Sequence, residues 1–418
     1  MSAPVSGAAL SNLRIDTARL GADLAALAEI TEPGRPWTRR AFTPKFLEGR
    51  AWLEGRMQAA GLTTRIDAAG NLIGRLAGKT SGAGVLMVGS HSDTVPDGGR
   101  FDGIAGVLAG LEIARAVQDQ GITFAHDLEI VDFLAEEVSI FGVSCVGSRG
   151  LSGQLPEDWL SRIADGRDLK AAIAEAGGAI EEATPRADVK GFLELHIEQG
   201  PVLEAEGLPI GVVTAIAGIT RVLVTVAGRP DHAGTTPMNA RQDALIPAAE
   251  LVLAIRAKAD ALAAGPGHFT ATVGEFRMEP NAANVVPARV EMLIDARASE
   301  RADMEAFLDW LGTEGARHGA EVKVLSDNPP KPSHPAVCDL LEAAAEKLGA
   351  GHRRMVSGAG HDAAWMGRIA PTAMVFVPCA GGRSHCPEEW AETGDIALGA
   401  AVMLETLIEM DRLVPVIA

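Results

Sequence analysis

The stretch GVLMVGSHSDTVPDGGRFDGIAGVLAG, residues 84–110, joins three kinds of sequence without a break. It begins as an unbroken apolar run and ends as an apolar pattern with helical spacing that continues to about residue 120. Between them lies a glycine-rich loop carrying His91, Asp93, Asp97, Arg100 and Asp102. An apolar run without polar alternation predicts a strand covered on both faces. Strand, loop and helix in this order form a unit of an α/β sheet, whose functional groups gather outside the carboxyl ends of the strands. The loop is therefore either a plain polar turn or half of a site.

The same grammar repeats outward. Residues 12–30 and 41–60 have helical apolar spacing, and NLIGRLAG, HDLEIVDFLAEE and GFLELHIEQG read as strands. The pattern changes at about residue 214. ITRVLVTVAG, a long amphipathic helix within 240–264, FTATVGEFRM, VVPARVEMLIDAR, a helix at 301–319 and AEVKVL follow the order βαββαβ, that of a ferredoxin-like unit. SDNPPKPSHP reads as a linker, after which AVCDLLEAAAEKLG and PTAMVFVPC resume the first pattern. The predicted fold class is α/β: a catalytic domain with a mixed sheet flanked by helices, and an inserted βαββαβ domain. The expected boundaries are 1–213 and 330–418 for the first, and 214–329 for the insert.

Four segments far apart in sequence each bring a histidine or carboxylate to a strand end: His91, then Glu136 and Glu137, then His196 and Glu198, then His385. Singly each is weak, since a lone loop histidine is more often merely hydrogen-bonded. Their convergence on one sheet edge favours a metal site. Imidazole and carboxylate together suit Zn(II) or Mn(II), with Co(II) or Ni(II) as further candidates, and no cysteine falls within the pattern. Two ions need a bridging group, for which Asp102 is best placed, although a plain helix N-cap explains it equally. Asp93 is expected to accept the second ring N–H of His91. Asp97 and Arg100 have no assigned role.

Bulk properties narrow the classes further. The chain of 418 residues carries 37 basic and 55 acidic residues, a formal charge of -18, which disfavours a nucleic-acid partner. No apolar run reaches the roughly 18 residues of a membrane span. The start, MSAPVSGAALSNLRID, does not read as a signal peptide. Four cysteines without a CxxC pair suit a reducing cytosol, so the expected location is cytoplasmic.

With these residues in place the chain resembles the dinuclear-metal amidohydrolases of the hydantoinase/carbamoylase type. That family includes N-carbamoyl-L-amino-acid hydrolases, allantoate amidohydrolases and bacterial β-ureidopropionases, within the wider aminoacylase and carboxypeptidase superfamily. GSHSDTVPDGGRFDGIAGV, AEE, ELHIEQGPVLE, DHAGTTPM, NVVP with DAR, SGAGHDA and GGRSHCPEE carry the resemblance, in order, from about residue 37 to 390. It implies two divalent ions per subunit on His91, Asp102, Glu137, His196 and His385, with Asp102 bridging. It makes Glu136 the general acid/base and Asp93 the partner of His91. It implies that the insert is a lid and dimerisation domain. His232 would then reach the substrate's oxyanion from the neighbouring subunit of a homodimer, and Asn284 and Arg297 would hold a substrate carboxylate. Gln199 would lie near the substrate, and His361 would line the pocket or support the structure. Many members read EExxRF where this chain has EEVSIF, with Ile140 in the arginine's place.

The implied reaction is hydrolysis of a carbamoyl C–N bond, from an N-carbamoyl-L-amino acid to the L-amino acid, ammonia and carbon dioxide. Allantoate and N-carbamoyl-β-alanine are the alternative substrates, and aminoacylase or dipeptidase chemistry is a more distant one. A thiol hydrolase using Cys145 or Cys386 is disfavoured, because sequence neighbours such as His385 and Cys386 rarely form a nucleophile–base pair. No GxSxG elbow supports a serine hydrolase, and intact Glu136 with five ligands argues against a metal-free scaffold. ITRVLVTVAG, as an edge strand, could pair with its copy in a two-fold dimer.

Overall fold

The computed structural model describes residues 15–417. Residues 12–14 of the first expected helix, and nearly all of the leading stretch read for a signal peptide, lie outside them. Contacts divide the chain into two units. One comprises 1–214, 333–355 and 361–418, and the other 215–332 with 356–360.

The larger unit opens with helices α1 (Thr17–Ala28) and α2 (Pro44–Ala59). Strands β1 (Thr63–Ile66), β2 (Leu72–Leu76) and β3 (Val85–His91) follow, then α3 (Ile104–Asp119), β4 (Asp127–Phe133), β5 (Val189–Ile197) and β6 (Ile210–Ile216). The smaller unit contains β7 (Gly218–Ala227), α4 (Leu245–Ala263), β8 (Phe269–Glu279), β9 (Arg289–Ala298), α5 (Arg301–Arg317) and β10 (Ala320–Asn328). The chain then forms α6 (Pro335–Lys347), β11 (His352–Ser357), β12 (Thr372–Val377) and α7 (Thr393–Ile417).

The main sheet runs β1-β2-β4-β3-β5-β12-β6, with β11 also on β6. Its middle is parallel: β3 pairs in parallel with β4 and β5, and β12 with β5. The outer neighbours β2 and β6 run antiparallel. Four parallel strands therefore end on one edge, at Phe133, His91, Ile197 and Val377. Every residue of β3 is buried, as its unbroken apolar run requires. Helix α3 is buried from Ile104 to Val117, and Leu24, Leu108, Leu195, Val375 and Leu404 join helices and strands in one core.

A buried ion pair fastens α2 to this sheet. Arg50 Nε lies 3.0 Å from Asp132 Oδ2, and its other nitrogens donate to Asp132 O at 2.8 Å and Gly70 O at 2.6 Å. Removing one partner of such a pair strands a buried charge. We therefore expect Arg50→Ala to lose about 3–5 kcal/mol of stability, read by denaturant unfolding.

The smaller unit is an antiparallel sheet ordered β8-β9-β7-β10, with α4 and α5 packed on it through Val224, Leu251, Ile255, Ile294, Phe307 and Leu311. ITRVLVTVAG was expected at an edge. It forms β7, which pairs with both β9 and β10, so its backbone groups are used on both sides and the edges are β8 and β10. SDNPPKPSHP is also more ordered than a linker: β10 extends to Asn328, and Lys331 and Pro332 pair with Ile216 and Ala215.

Candidate metal centre

Each parallel strand delivers its polar groups at or just past its end. His91 is the last residue of β3, and His196 lies one residue before the end of β5. Glu136 and Glu137 were expected to end the strand HDLEIVDFLAEE, where neighbouring side chains point to opposite faces. Instead β4 stops at Phe133, and Ala135 takes a left-handed turn with φ 53°, so the strand alternation no longer applies to them. The loop beyond β4 is tied back on itself: Cys145, Val146 and Gly147 N–H groups donate to the carbonyls of Glu136, Ala135 and Leu134 at 2.9, 3.1 and 2.8 Å. Asp93 holds it from the other side, its carboxylate accepting the N–H groups of Glu136 and Glu137, each at 3.1 Å. The ring Nδ1 of His91 donates to the Asp93 carbonyl at 3.0 Å, with the Asp93 carboxylate farther off at 3.6 Å. Asp93 thus orients both the imidazole and the paired glutamates.

Asp102 was weighed as a helix N-cap. The cap position of α3 is Gly103, with φ 67° and no side-chain cap bond, which leaves the Asp102 carboxylate for other partners. Its two oxygens face two different groups. Oδ1 lies 3.0 Å from His196 Nε2 and 3.7 Å from His91 Nε2. Oδ2 lies 3.0 Å from His385 Nε2, which is itself 3.1 Å from Glu137 Oε1. His91, Asp102 and His196 form one cluster of potential ligand atoms, and Asp102, Glu137 and His385 form a second, each within 4.8 Å.

The hydrogen bonds around these rings test whether cations fit. His196 Nδ1 donates to Ile197 O at 2.9 Å, and the Gly103 N–H points at Nε2 at 3.2 Å, so in the neutral ring Nε2 carries the lone pair. The Asp93 carbonyl likewise leaves His91 Nε2 bare, 3.7 Å from Glu136 Oε2 as well as from Asp102. Lone pairs this close repel unless a proton or cation lies among them. Protons answer this only piecemeal. Burial pulls the His196 imidazole down, but Asp102 lifts it to about 9, and Asp102 with Glu137 lifts His385 to about 11. Burial by itself would raise Asp102, yet its hydrogen bonds to His196 and His385 hold it well below the usual carboxylate range. His91 is pushed down by burial. Three imidazole nitrogens and two carboxylates of this polarity suit divalent Zn or Mn.

Glu136 is different in kind. Burial, then repulsion from Asp362, Glu137, Asp93 and Asp102, pushes its carboxyl well above the usual range. A carboxyl beside these candidate ligands that accepts a proton readily is suited to general acid/base work.

Two glycines show how tightly the opening loop is cut. A side-chain carbon on Gly103 would fall 2.4 Å from the His91 ring, and one on Gly99 would fall 1.9 Å from the Glu389 carboxyl. Gly103 also needs its positive φ, which costs a substituted residue about 1–2 kcal/mol. We expect Gly103→Ala to displace His91 and weaken metal binding at least about tenfold, measured by calorimetric titration of the metal-free protein.

Glu389 and Ser384 were not singled out in the sequence. Glu389 accepts the N–H groups of Phe101 and Asp102 at 2.8 and 3.0 Å, and the Ser384 hydroxyl, 2.8 Å away, also reaches Asp102 Oδ2 at 3.0 Å. The motif GGRSHCPEE contains both residues, but only folding shows what they touch. Cys145 donates its thiol to Glu136 Oε1 at 3.3 Å. Gln199, in a left-handed conformation, donates to Asp102 Oδ2 at 2.9 Å, and buried His361 stacks edge-on against His196 with ring centres 4.5 Å apart. Glu198 turns away, accepting Val202 and Leu203 N–H groups at 2.8 Å. Asp97 pairs with Arg35 at 3.4 Å, and Arg100 lies over Trp37 and Trp390, so both fasten the loop. Ile140 packs, partly buried, against an apolar cluster containing Phe42, Phe141 and Val143.

Three expected substrate residues belong to the smaller unit. His232 is exposed, and its Nδ1 accepts the Gly234 N–H at 3.0 Å, which leaves the proton of the neutral ring on Nε2. Asn284 is exposed, with its carbonyl accepting the Ala233 N–H at 2.9 Å. Arg297 donates to Asp295 Oδ1 at 2.8 Å and Gly358 O at 2.9 Å.

The model of Peptidase family M20/M25/M40 matches residues 87–409. The N-carbamoyl-L-amino-acid amidohydrolase of Paenarthrobacter aurescens is 37% identical over 94% of this chain and 98% of its own length. The ureidoglycolate hydrolase of Arabidopsis thaliana is 36% identical over 96% and 88%, and the allantoate amidohydrolase of Bacillus subtilis 34% over 89% and 92%. The crystal structure of a hydantoinase/carbamoylase-family amidase from Burkholderia multivorans superposes with a TM-score of 0.88, at 36% identity, covering 95% of this chain and 98% of that one. With this coverage, and with the fold and edge cluster described above, the chain belongs to Peptidase family M20/M25/M40, on its hydantoinase/carbamoylase amidase branch.

Proposed function

We propose that the protein hydrolyses the carbamoyl C–N bond of an N-carbamoyl-L-amino acid, releasing the L-amino acid, ammonia and carbon dioxide. The observation that carries this reading is the Asp102 carboxylate shared between two ligand clusters, with the Glu136 carboxyl 3.7 Å from His91 on the same sheet edge. Such sharing is what a two-ion centre requires. The names of relatives similar over nearly the full chain, all acting on ureido compounds, support the choice of bond.

In this reading His91, His196 and Asp102 hold one divalent ion, and His385, Glu137 and Asp102 the other, with Zn(II) or Mn(II) as the native metal. When bound, the ions supply Lewis acidity and lower the pKa of an adjacent water from about 16 towards 7. Glu136 takes the proton of the attacking water and returns it to the leaving nitrogen. His232 Nε2–H donates to the developing oxyanion. Arg297 and Asn284 hold the substrate carboxylate, for which a guanidinium fork is well shaped. The smaller unit serves as lid and homodimer interface, its two edge strands β8 and β10 offering unpaired backbone groups. Four free cysteines suit a reducing cytoplasm, and among the described residues no helix is long and apolar enough to cross a membrane.

The experiment is an ammonia-release assay of the metal-loaded protein on N-carbamoyl-L-amino acids, allantoate, ureidoglycolate and N-carbamoyl-β-alanine. The highest kcat/KM is expected with an N-carbamoyl-L-amino acid. Preference for allantoate or ureidoglycolate would reassign the substrate but keep the bond. Turnover of N-acyl amino acids or dipeptides alone would overturn the reading.

A further inference from the structure

Glu136 has more torsional freedom than its task allows. Its backbone is fixed on both sides, by Asp93 at the N–H and by Cys145 at the carbonyl. The side chain still has three rotatable bonds, and four acidic neighbours repel its carboxylate. A base that must move a proton from water to a leaving nitrogen has to stay within hydrogen-bond reach of both. Something must therefore hold the carboxyl itself.

We propose that Cys145 is a positioning residue for Glu136: its S–H, donated to Oε1 at 3.3 Å, turns Oε2 toward His91 and the candidate metal ligands. The inference rests on the proposed role of Glu136 as general base. The same residue that grips the Glu136 carbonyl through its N–H reaches back with its side chain to the carboxyl, so the two contacts act as one clasp. The geometry depends on the backbone turning at Cys145, which has φ 53° and ψ 37°. That left-handed conformation sends the chain into the short helix Val146–Leu151 and leaves the thiol facing Glu136.

The residue is buried, and burial followed by the negative charge of Glu136 pushes the thiol well above the ordinary thiol range. It is therefore a stable S–H donor and not a thiolate nucleophile. A thiol is a weak donor.

The test compares Cys145→Ala and Cys145→Ser. Both keep the left-handed backbone and the N–H bond to the Glu136 carbonyl, so backbone strain is common to them. Cys145→Ala should lower kcat about tenfold with KM within about twofold, as expected for losing one hydrogen bond of about 1.4 kcal/mol to a catalytic group. Cys145→Ser should recover kcat to within about threefold, because its hydroxyl also donates. Bound metal and melting temperature should be unchanged to confirm folding. A readout independent of turnover is the infrared S–H stretch that disappears in Cys145→Ala: it should shift in Glu136→Ala. Wild-type kcat in Cys145→Ala, equal losses in the Ala and Ser variants, or an S–H band indifferent to Glu136 would overturn the proposal. Activity surviving in Glu136→Ala would instead overturn the role of Glu136, so the two failures are separable.

Discussion

Glu136→Gln should lower kcat by about 10²–10⁴-fold while both ions stay bound and the fold is unchanged. The amide has nearly the shape of the carboxyl but can neither take a proton from water nor pass one to nitrogen. Glu136 lies outside both ligand clusters, which contain His91, His196, His385, Asp102 and Glu137, so its loss leaves the ligand set whole. Substrate binding should be kept as well, and KM should move far less than kcat. Metal analysis with steady-state kinetics checks this. Retained activity, or lost metal, would show that Glu136 has been given the wrong task.

Asp102→Asn should be the more drastic change. The carboxylate faces His196 through one oxygen and His385 through the other, so a single substitution weakens both clusters. An amide nitrogen at either position presents hydrogens where a lone pair is needed. Substituting a residue that only orients a ligand costs about 10–100-fold in metal affinity. Loss of the shared charge should exceed that, on the order of 10³-fold or more for the pair of ions, with activity falling to background. Calorimetric titration of the metal-free variant is the direct check. Loss of one ion with the other at wild-type affinity would contradict the sharing.

Strand ends were the most legible part of the sequence, for a physical reason. A buried parallel strand is mostly apolar, so polar His91, His196 and the Glu136–Glu137 pair stand out against their runs. The site was legible where it depended on such local contrast. Tertiary partners were not. Nothing in RSHCPEE shows that Glu389 accepts the N–H groups of Phe101 and Asp102, nearly 290 residues earlier. The position of Glu136 beyond the strand was hidden because Leu134 and Ala135 continue the apolar run, while the left-handed turn at Ala135 leaves no mark in composition. Asp102 looked like a cap because aspartate caps well, but Gly103 occupies that position. The central place of β7 depends on pairing with β9 and β10, far along the chain, which its own alternation does not encode.

One titration tests the central claim most directly. Protein stripped by a chelator should release no ammonia from N-carbamoyl-L-amino acids, and activity should return on adding Zn(II) or Mn(II), reaching its plateau at two equivalents per chain. Full activity after chelation, or a plateau at one equivalent, would contradict a two-ion centre joined by Asp102.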